Sequence, residues 1–225
     1  IDNFKKLLED SSFIEQYKIK NDIKKQGEEP AWHHFLKKND WLLGLNIDIK
    51  FTKDFTSEMD LGVKNTDGKG SPKTDLMGIS DFTSIIELKT SNTKFFTEKR
   101  KNTSRADTWP FSDDLIDGIS QCLGQKFSWD KNHKSKDLIK LNSDLEKEIL
   151  NQDINQTIDP KTIFIIGNKQ KELPQESIDP DIKLKRETLE RFRRNNRNIE
   201  ILSFDELYER AYFIVYNDYA PKLNF

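Results

Sequence analysis

The chain has 225 residues, 34% hydrophobic and 34% charged, with 37 basic against 39 acidic side chains and a net charge of −2. That length and mix describe one good-sized α/β domain, or a domain with an appendage, and exclude both a disordered chain and a polycation; a polyanion has to be met by local patches. A single cysteine, Cys122, excludes an intrachain disulfide and fits a reducing compartment, and no apolar run approaches the roughly 20 residues of a membrane helix.

Residues 4–25 carry broken apolar spacing (Phe4, Leu7, Leu8, then Ile14 and Tyr17) and predict a helix or helix pair. The chain starts at Ile1 without Met or a signal-peptide pattern, which reads as a piece of a longer cytoplasmic protein. Glu29-Pro30-Ala31-Trp32 opens a clearer helix, with proline and an acid in the first turn and Trp32, Phe35 and Leu36 on one face. It stops near Asn39-Asp40, and Trp41–Gly44 is a packed exit. Glu29 reads more as a cap residue than as a functional acid. His33 and His34 face different ways on a helix and have no Cys or second His at ligand spacing, so a zinc site is not expected.

Residues 46–63 alternate apolar and polar and predict one or two strands, followed by a Gly/Asn/Asp-rich turn over 65–71. Thr74–Ile79 and Phe82–Thr90 predict a strand pair joined by a turn at Ser80-Asp81. Residues 91–111 form a polar connector with Lys94, Lys99, Arg100, Lys101 and Arg105 against Glu98 and Asp107. It reads as a phosphate-contacting loop or as a solvated one. Ser112-Asp113-Asp114 starts a helix running to about Trp129, with Leu115, Ile119, Leu123 and Phe127 as its core stripe. Gln121 and Gln125, one turn apart, form a second line that can bind substrate, orient a carboxylate, or simply face solvent.

Residues 131–155 read as a charged helix or helix plus loop, and Thr162–Ile166 as a buried strand. Lys169–Asp181 is a loop, and Lys183–Asn195 a helix whose basic face is a footprint for a polyanion or a solvated surface. Ile199–Leu202 is the last strand. Ser203–Glu206 matches a capping box opening a helix to about Tyr216, with Leu207, Ala211 and Ile214 inward. The order of helices and strands predicts an α/β fold with a mixed sheet.

Chemistry concentrates on the strand pair. Alternation puts Ile85, Glu87 and Lys89 on one face of the second strand, with the two charges about 7 Å apart along the backbone. Asp75 on the neighbouring strand brings a second carboxylate alongside. Two carboxylates and a lysine suit a hard cation with an ammonium beside it. The plainer reading is a solvated ion pair on an edge strand.

An acid-bearing helix, then a strand pair carrying D-x11-E-x-K, then a further helix together resemble the PD-(D/E)XK nuclease superfamily. The stretches EEPAWHHFLKKNDWLLG, IIELKT, SDDLIDGISQCLGQ and NIEILSFDELYERA resemble, in order and spacing, the Shedu-type nuclease domain of bacterial anti-phage defence. The resemblance covers about residues 28–216. It implies a restriction-endonuclease-like core, with a mixed central sheet flanked by helices, over residues 28–225, and a helical lead-in over 1–27. It also implies a Mg²⁺-dependent DNA endonuclease, with Mn²⁺ as the alternative ion, acting as a homo-oligomer. By residue, it implies that Asp75, Glu87 and the Leu88 carbonyl hold the metal, and that Lys89 activates water and offsets charge at the phosphate. Glu29 is then an outer carboxylate and Gln121 the family's helix glutamine. Lys94, Lys99, Arg100, Lys101 and Gln125 are the nucleic-acid contacts expected of this reading. Two departures stand out: the proline normally just before the aspartate is displaced (Pro72-Lys73-Thr74-Asp75), and Gln125 stands where relatives often have an aromatic. Asp81 is the fallback carboxylate. The alternatives are a silent nucleic-acid-binding or scaffold domain of the same fold and a repair or restriction nuclease; RNA remains open as a substrate.

Overall fold

The computed structural model describes residues 1–45, 54–60, 73–79, 84–100, 107–132 and 159–225. Its helices are α1 (Asp2–Glu9), α2 (Ser11–Lys20), α3 (Glu29–Lys38), α4 (Asp113–Asn132), α5 (Lys169–Glu172), α6 (Pro180–Asn195) and α7 (Phe204–Tyr216), with a 3-10 turn over Asp40–Leu45. Its strands are β1 (Asp54–Asp60), β2 (Lys73–Ile79), β3 (Ser84–Leu88), β4 (Lys161–Ile165) and β5 (Ile199–Leu202). The fold is mixed α/β, and the strands are bonded in the order β1-β2-β3-β4-β5. The predicted turn at Ser80-Asp81, Lys101, Arg105 and nearly all of 131–155 lie outside the described residues.

The chain divides into two compact units. One holds Ile1–Phe35, Leu88–Gly118 and Ile165–Phe225; the other holds Leu36–Glu87 and Ile119–Phe164. In the first, an aromatic cluster forms the core. Phe4 of α1 packs its ring on Trp32 and Phe35 of α3 and on Tyr208 of α7, at centroid distances of 5.8, 5.2 and 5.7 Å. Trp32 also meets Phe204 at 4.5 Å. Edge-on and tilted ring pairs of this kind add stability beyond the area they bury. The expected helix pair over 4–25 is therefore α1 and α2, and its first helix belongs to this core.

The chain after β3 returns beside β4: the Lys89 N–H donates to the Ile165 carbonyl and the Gly167 N–H to the Thr90 carbonyl. Gly167 has φ +65°, and a Cβ there would lie 2.6 Å from the Thr93 carbonyl oxygen. Only glycine fits so close a crossing.

The connector over 91–111 is less a polar loop than its composition predicts. Phe95, Phe96 and Trp109 are buried in it. The Glu172 carboxylate of α5 accepts the N–H groups of Phe95 and Phe96 at 2.8 and 3.1 Å. Burial raises the Glu172 pKa, and these two donors oppose the shift. Phe96 and Phe111 pair as an isolated bridge with their rings stacked at 5.1 Å. Ser112 caps α4 as expected: its hydroxyl accepts from the Leu115 N–H and donates to the Lys94 carbonyl.

The basic face of α6 is mostly spent inside the first unit. Arg186 donates to the carbonyls of Pro174 and Gln175, Arg191 to that of Asp107, and Lys185 lies 4.3 Å over the Trp109 ring. Arg193 and Lys169 converge on Glu206 at 2.8 and 3.2 Å, and both reach Glu190. The Glu206 carboxylate also accepts the Ser203 N–H, one half of the predicted capping box. Asp205 caps α5 by accepting the N–H groups of Lys169 and Gln170.

Two predicted faces are corrected. On α4 the buried line is Leu115, Gly118, Cys122, Gln125 and Trp129, while Leu123 and Phe127 are exposed. Strict steps of four drift about 40° per step, so Phe127 ends about 120° from Leu115; alternating steps of three and four hold one face. On α7, Leu207 and Ala211 are buried as predicted, but Ile214 is exposed along with Phe213, Val215 and Tyr216. The apolar stripe there runs on past the elements that cover the first turns.

Candidate functional site

The β2–β3 pair belongs to the second unit. Its antiparallel register is Leu76↔Ile86, Met77↔Ile85 and Gly78↔Ser84. Continuing that register by one step sets Asp75 directly across from Glu87. Opposed residues of an antiparallel pair share a face, with Cα atoms roughly 4.5–5.5 Å apart. The Thr74 hydroxyl donates to the Ile86 carbonyl, which pins the strands at this point. The displaced proline does not carry Asp75 off the strand: β2 begins at Lys73.

β3 is covered on both faces, with every residue from Ser84 to Leu88 buried. Glu87 is only 5% exposed and Asp75 is half-buried. β3 also has a neighbour on each side, β2 and β4. The edge-strand reading, a solvated Glu87–Lys89 pair, does not survive that placement. A carboxylate this buried needs hydrogen-bond donors to offset its lost hydration. One is the Gln125 amide of α4, whose Nε2 donates to Glu87 Oε2 at 2.6 Å.

Gln125 is itself buried, at 3% exposure, while Gln121 is exposed. The expectation of Gln125 at a nucleic-acid surface therefore gives way to an internal contact. Gln125 reaches a carboxylate, that of Glu87. The signal was present in the sequence: Gln125 lies three residues from Cys122 and four from Trp129, on the buried line of α4.

In the first unit, Glu29 stands at the start of α3 and His33 one turn on, with Oε1 and Nε2 3.8 Å apart. The Glu29 carboxyl is held below its ordinary range, first by its interaction with His33. The nearby charges of His33, Lys89 and Lys25 add to this, and burial opposes it. Glu29 thus sits in the field of the Lys89 ammonium, and a cap role alone does not describe it. Lys89 itself is half-buried. Lys94 and Lys99 are exposed, and Arg100 is half-exposed. Their surfaces are open to solvent on a connector whose base is fixed by Glu172.

Among the described residues, no helix is long and apolar enough to cross a membrane.

The strand pair thus sets a half-buried Asp75 across from a buried Glu87 that a helix amide clasps, within a mixed α/β fold. The sequence matches the family described as "Shedu protein SduA, C-terminal" over residues 26–208, and the chain belongs to that family. The family is that of an anti-phage defence protein. A comparison with curated proteins finds no match.

Proposed function

We propose that the chain is a metal-dependent DNA endonuclease domain of an anti-phage defence protein, working in the cytoplasm as a homo-oligomer. The observation that carries the reading is the β2–β3 register, which, continued by one step, opposes the half-buried Asp75 and the buried Glu87 on one face of the pair. Facing carboxylates repel each other across a ladder. A cation held between them removes that cost, and an all-oxygen donor set suits Mg²⁺ or Mn²⁺. The Leu88 carbonyl is the further oxygen assigned to the ion.

Bound Mg²⁺ supplies Lewis-acid polarisation of the phosphodiester and lowers the pKa of a coordinated water. The chain's own groups do the rest. The Lys89 ammonium orients the attacking water and offsets the charge that develops on the phosphate. Glu29, kept ionised by His33 and Lys89, serves as the outer carboxylate that accepts a hydrogen bond from the water. Gln121, on the exposed side of α4, contacts the substrate. The exposed cations Lys94 and Lys99, with Arg100, meet DNA phosphates. No covalent nucleophile enters this scheme.

The test is cleavage of supercoiled and linear DNA by the wild-type chain with Mg²⁺, with EDTA, and by a folded Lys89→Ala variant. The expected result is cleavage that needs Mg²⁺ and falls at least 100-fold in the variant. Cleavage that persists undiminished in EDTA or in Lys89→Ala overturns the reading.

A further inference from the structure

We infer that Gln125 is a positioning residue for the metal-binding carboxylate Glu87, an inference that rests on the metal site proposed above. The argument starts from burial. Glu87 and Gln125 are 5% and 3% exposed, so neither side chain has bulk water as an alternative partner. The 2.6 Å contact from Gln125 Nε2 to Glu87 Oε2 is short for an N–H···O bond, as charge-assisted bonds are. A carboxylate can only accept here, so the amide orientation follows from the chemistry of its partner.

Two consequences follow for the carboxylate. The donor occupies one carboxylate oxygen and leaves the other to a cation. It also fixes the torsion about the terminal carboxylate bond, because one oxygen is tied to a rigid helix. Gln125 in turn is seated on the buried line of α4, between Cys122 at 0% and Trp129 at 1% exposure. The oxygen not bonded to Gln125 is then held in one place instead of sampling rotamers. This is how residues behind a ligand raise affinity: they remove motion and fix charge before the metal arrives. A hydrophobic or aromatic side chain at 125 would remove this donor from behind Glu87.

The experiment measures Mn²⁺ binding by calorimetry on the full chain, for wild type, Gln125→Met, Glu87→Gln and the double variant. Methionine keeps the length and apolar volume and removes the donor. Gln125→Met should weaken Mn²⁺ binding about 10- to 100-fold, and the Mg²⁺ concentration for half-maximal cleavage should rise by the same factor. Cleavage at saturating Mg²⁺ and DNA affinity in EDTA should change far less. In the Glu87→Gln background, Gln125→Met should have no further effect, since the coupling runs through that carboxylate. Should Gln125→Met lose its cooperative melt, Gln125→Asn takes its place; it stays polar but cannot span the gap, and the same weakening is expected. Equal Mn²⁺ affinity in wild type and a folded Gln125 variant, or effects that add in the double variant, overturn the positioning role and leave the nuclease reading standing. No Mn²⁺ binding by wild type overturns the metal site and the role of Gln125 together.

Discussion

Glu206→Gln is the most informative stability test in the first unit. Burial pushes the Glu206 pKa up, but the hydrogen bond and charge of Arg193, the charge of Lys169 and the Ser203 N–H outweigh it and bring it down to about 2 from 4.5. A depression of about 2.5 units at about 1.4 kcal/mol each is worth roughly 3 kcal/mol of folding stability. The side chain is 19% exposed, so solvent screening removes little of this. A carboxylate whose folded pKa lies below its unfolded value stabilises fully above the unfolded value. That contribution disappears as pH falls from about 4.5 to about 2. Glutamine keeps the shape and one hydrogen bond but leaves Glu190 as the carboxylate that Arg193 and Lys169 share. The variant should lose about 2–3 kcal/mol at pH 7, a drop of roughly 5–10 °C in Tm for a chain of this size. Urea or thermal unfolding of both proteins at pH 7, 5 and 3 measures it. Glu172, whose pKa is raised by burial, titrates in both proteins and cancels in the difference, whereas Asp205 and Glu209 are raised in part by the Glu206 charge and move down slightly in the variant. The gap should shrink steadily below pH 4.5. A gap that stays constant from pH 7 to 3, or one below about 0.5 kcal/mol at pH 7, refutes the reasoning.

Gly167→Ala should cost about 2 kcal/mol or more, because the new Cβ meets the Thr93 carbonyl and the left-handed backbone is strained for alanine; a melt unchanged within 1 °C would count against it. Trp129→Ala should cost about 3–5 kcal/mol and Phe127→Ala less than about 1, since Trp129 is 1% and Phe127 69% exposed; equal losses in chemical denaturation would restore the stripe first read from the sequence.

The elements were legible because their signals are local. Proline and acid at 29–30, the Ser112 cap, the Ser203–Glu206 pattern and the Ile-rich run at 162–166 each fix one end or one face of an element. The strand pair was legible too, since β-formers flank it on both sides of a turn. What the sequence hid is pairing between distant residues. Glu172 reaches back 77 positions to Phe95, and nothing in a four-residue Lys-Gln-Lys-Glu helix announces that. The basic run on α6 looked like a surface because charge counts do not tell which arginines meet carbonyls of their own chain. Gln125 was grouped with Gln121 by spacing, and only burial separated them. Faces of long helices drift with the choice of period, and a strict four-residue step predicts Leu123 and Phe127 inward where the fold leaves them exposed.

The cinched base of the connector has an evolutionary corollary. The Thr97 N–H reaches the Pro110 carbonyl, the Trp109 indole reaches the Thr97 carbonyl, and the Ser112 N–H reaches that of Phe95. Ladder bonds and stacked rings thus close the segment at its neck, whatever lies between. The side chains of the exposed Lys94 and Lys99 make none of these closures, so the charge of the connector can change by inheritance without loosening its neck. A defence protein can revise that charge at little thermodynamic risk.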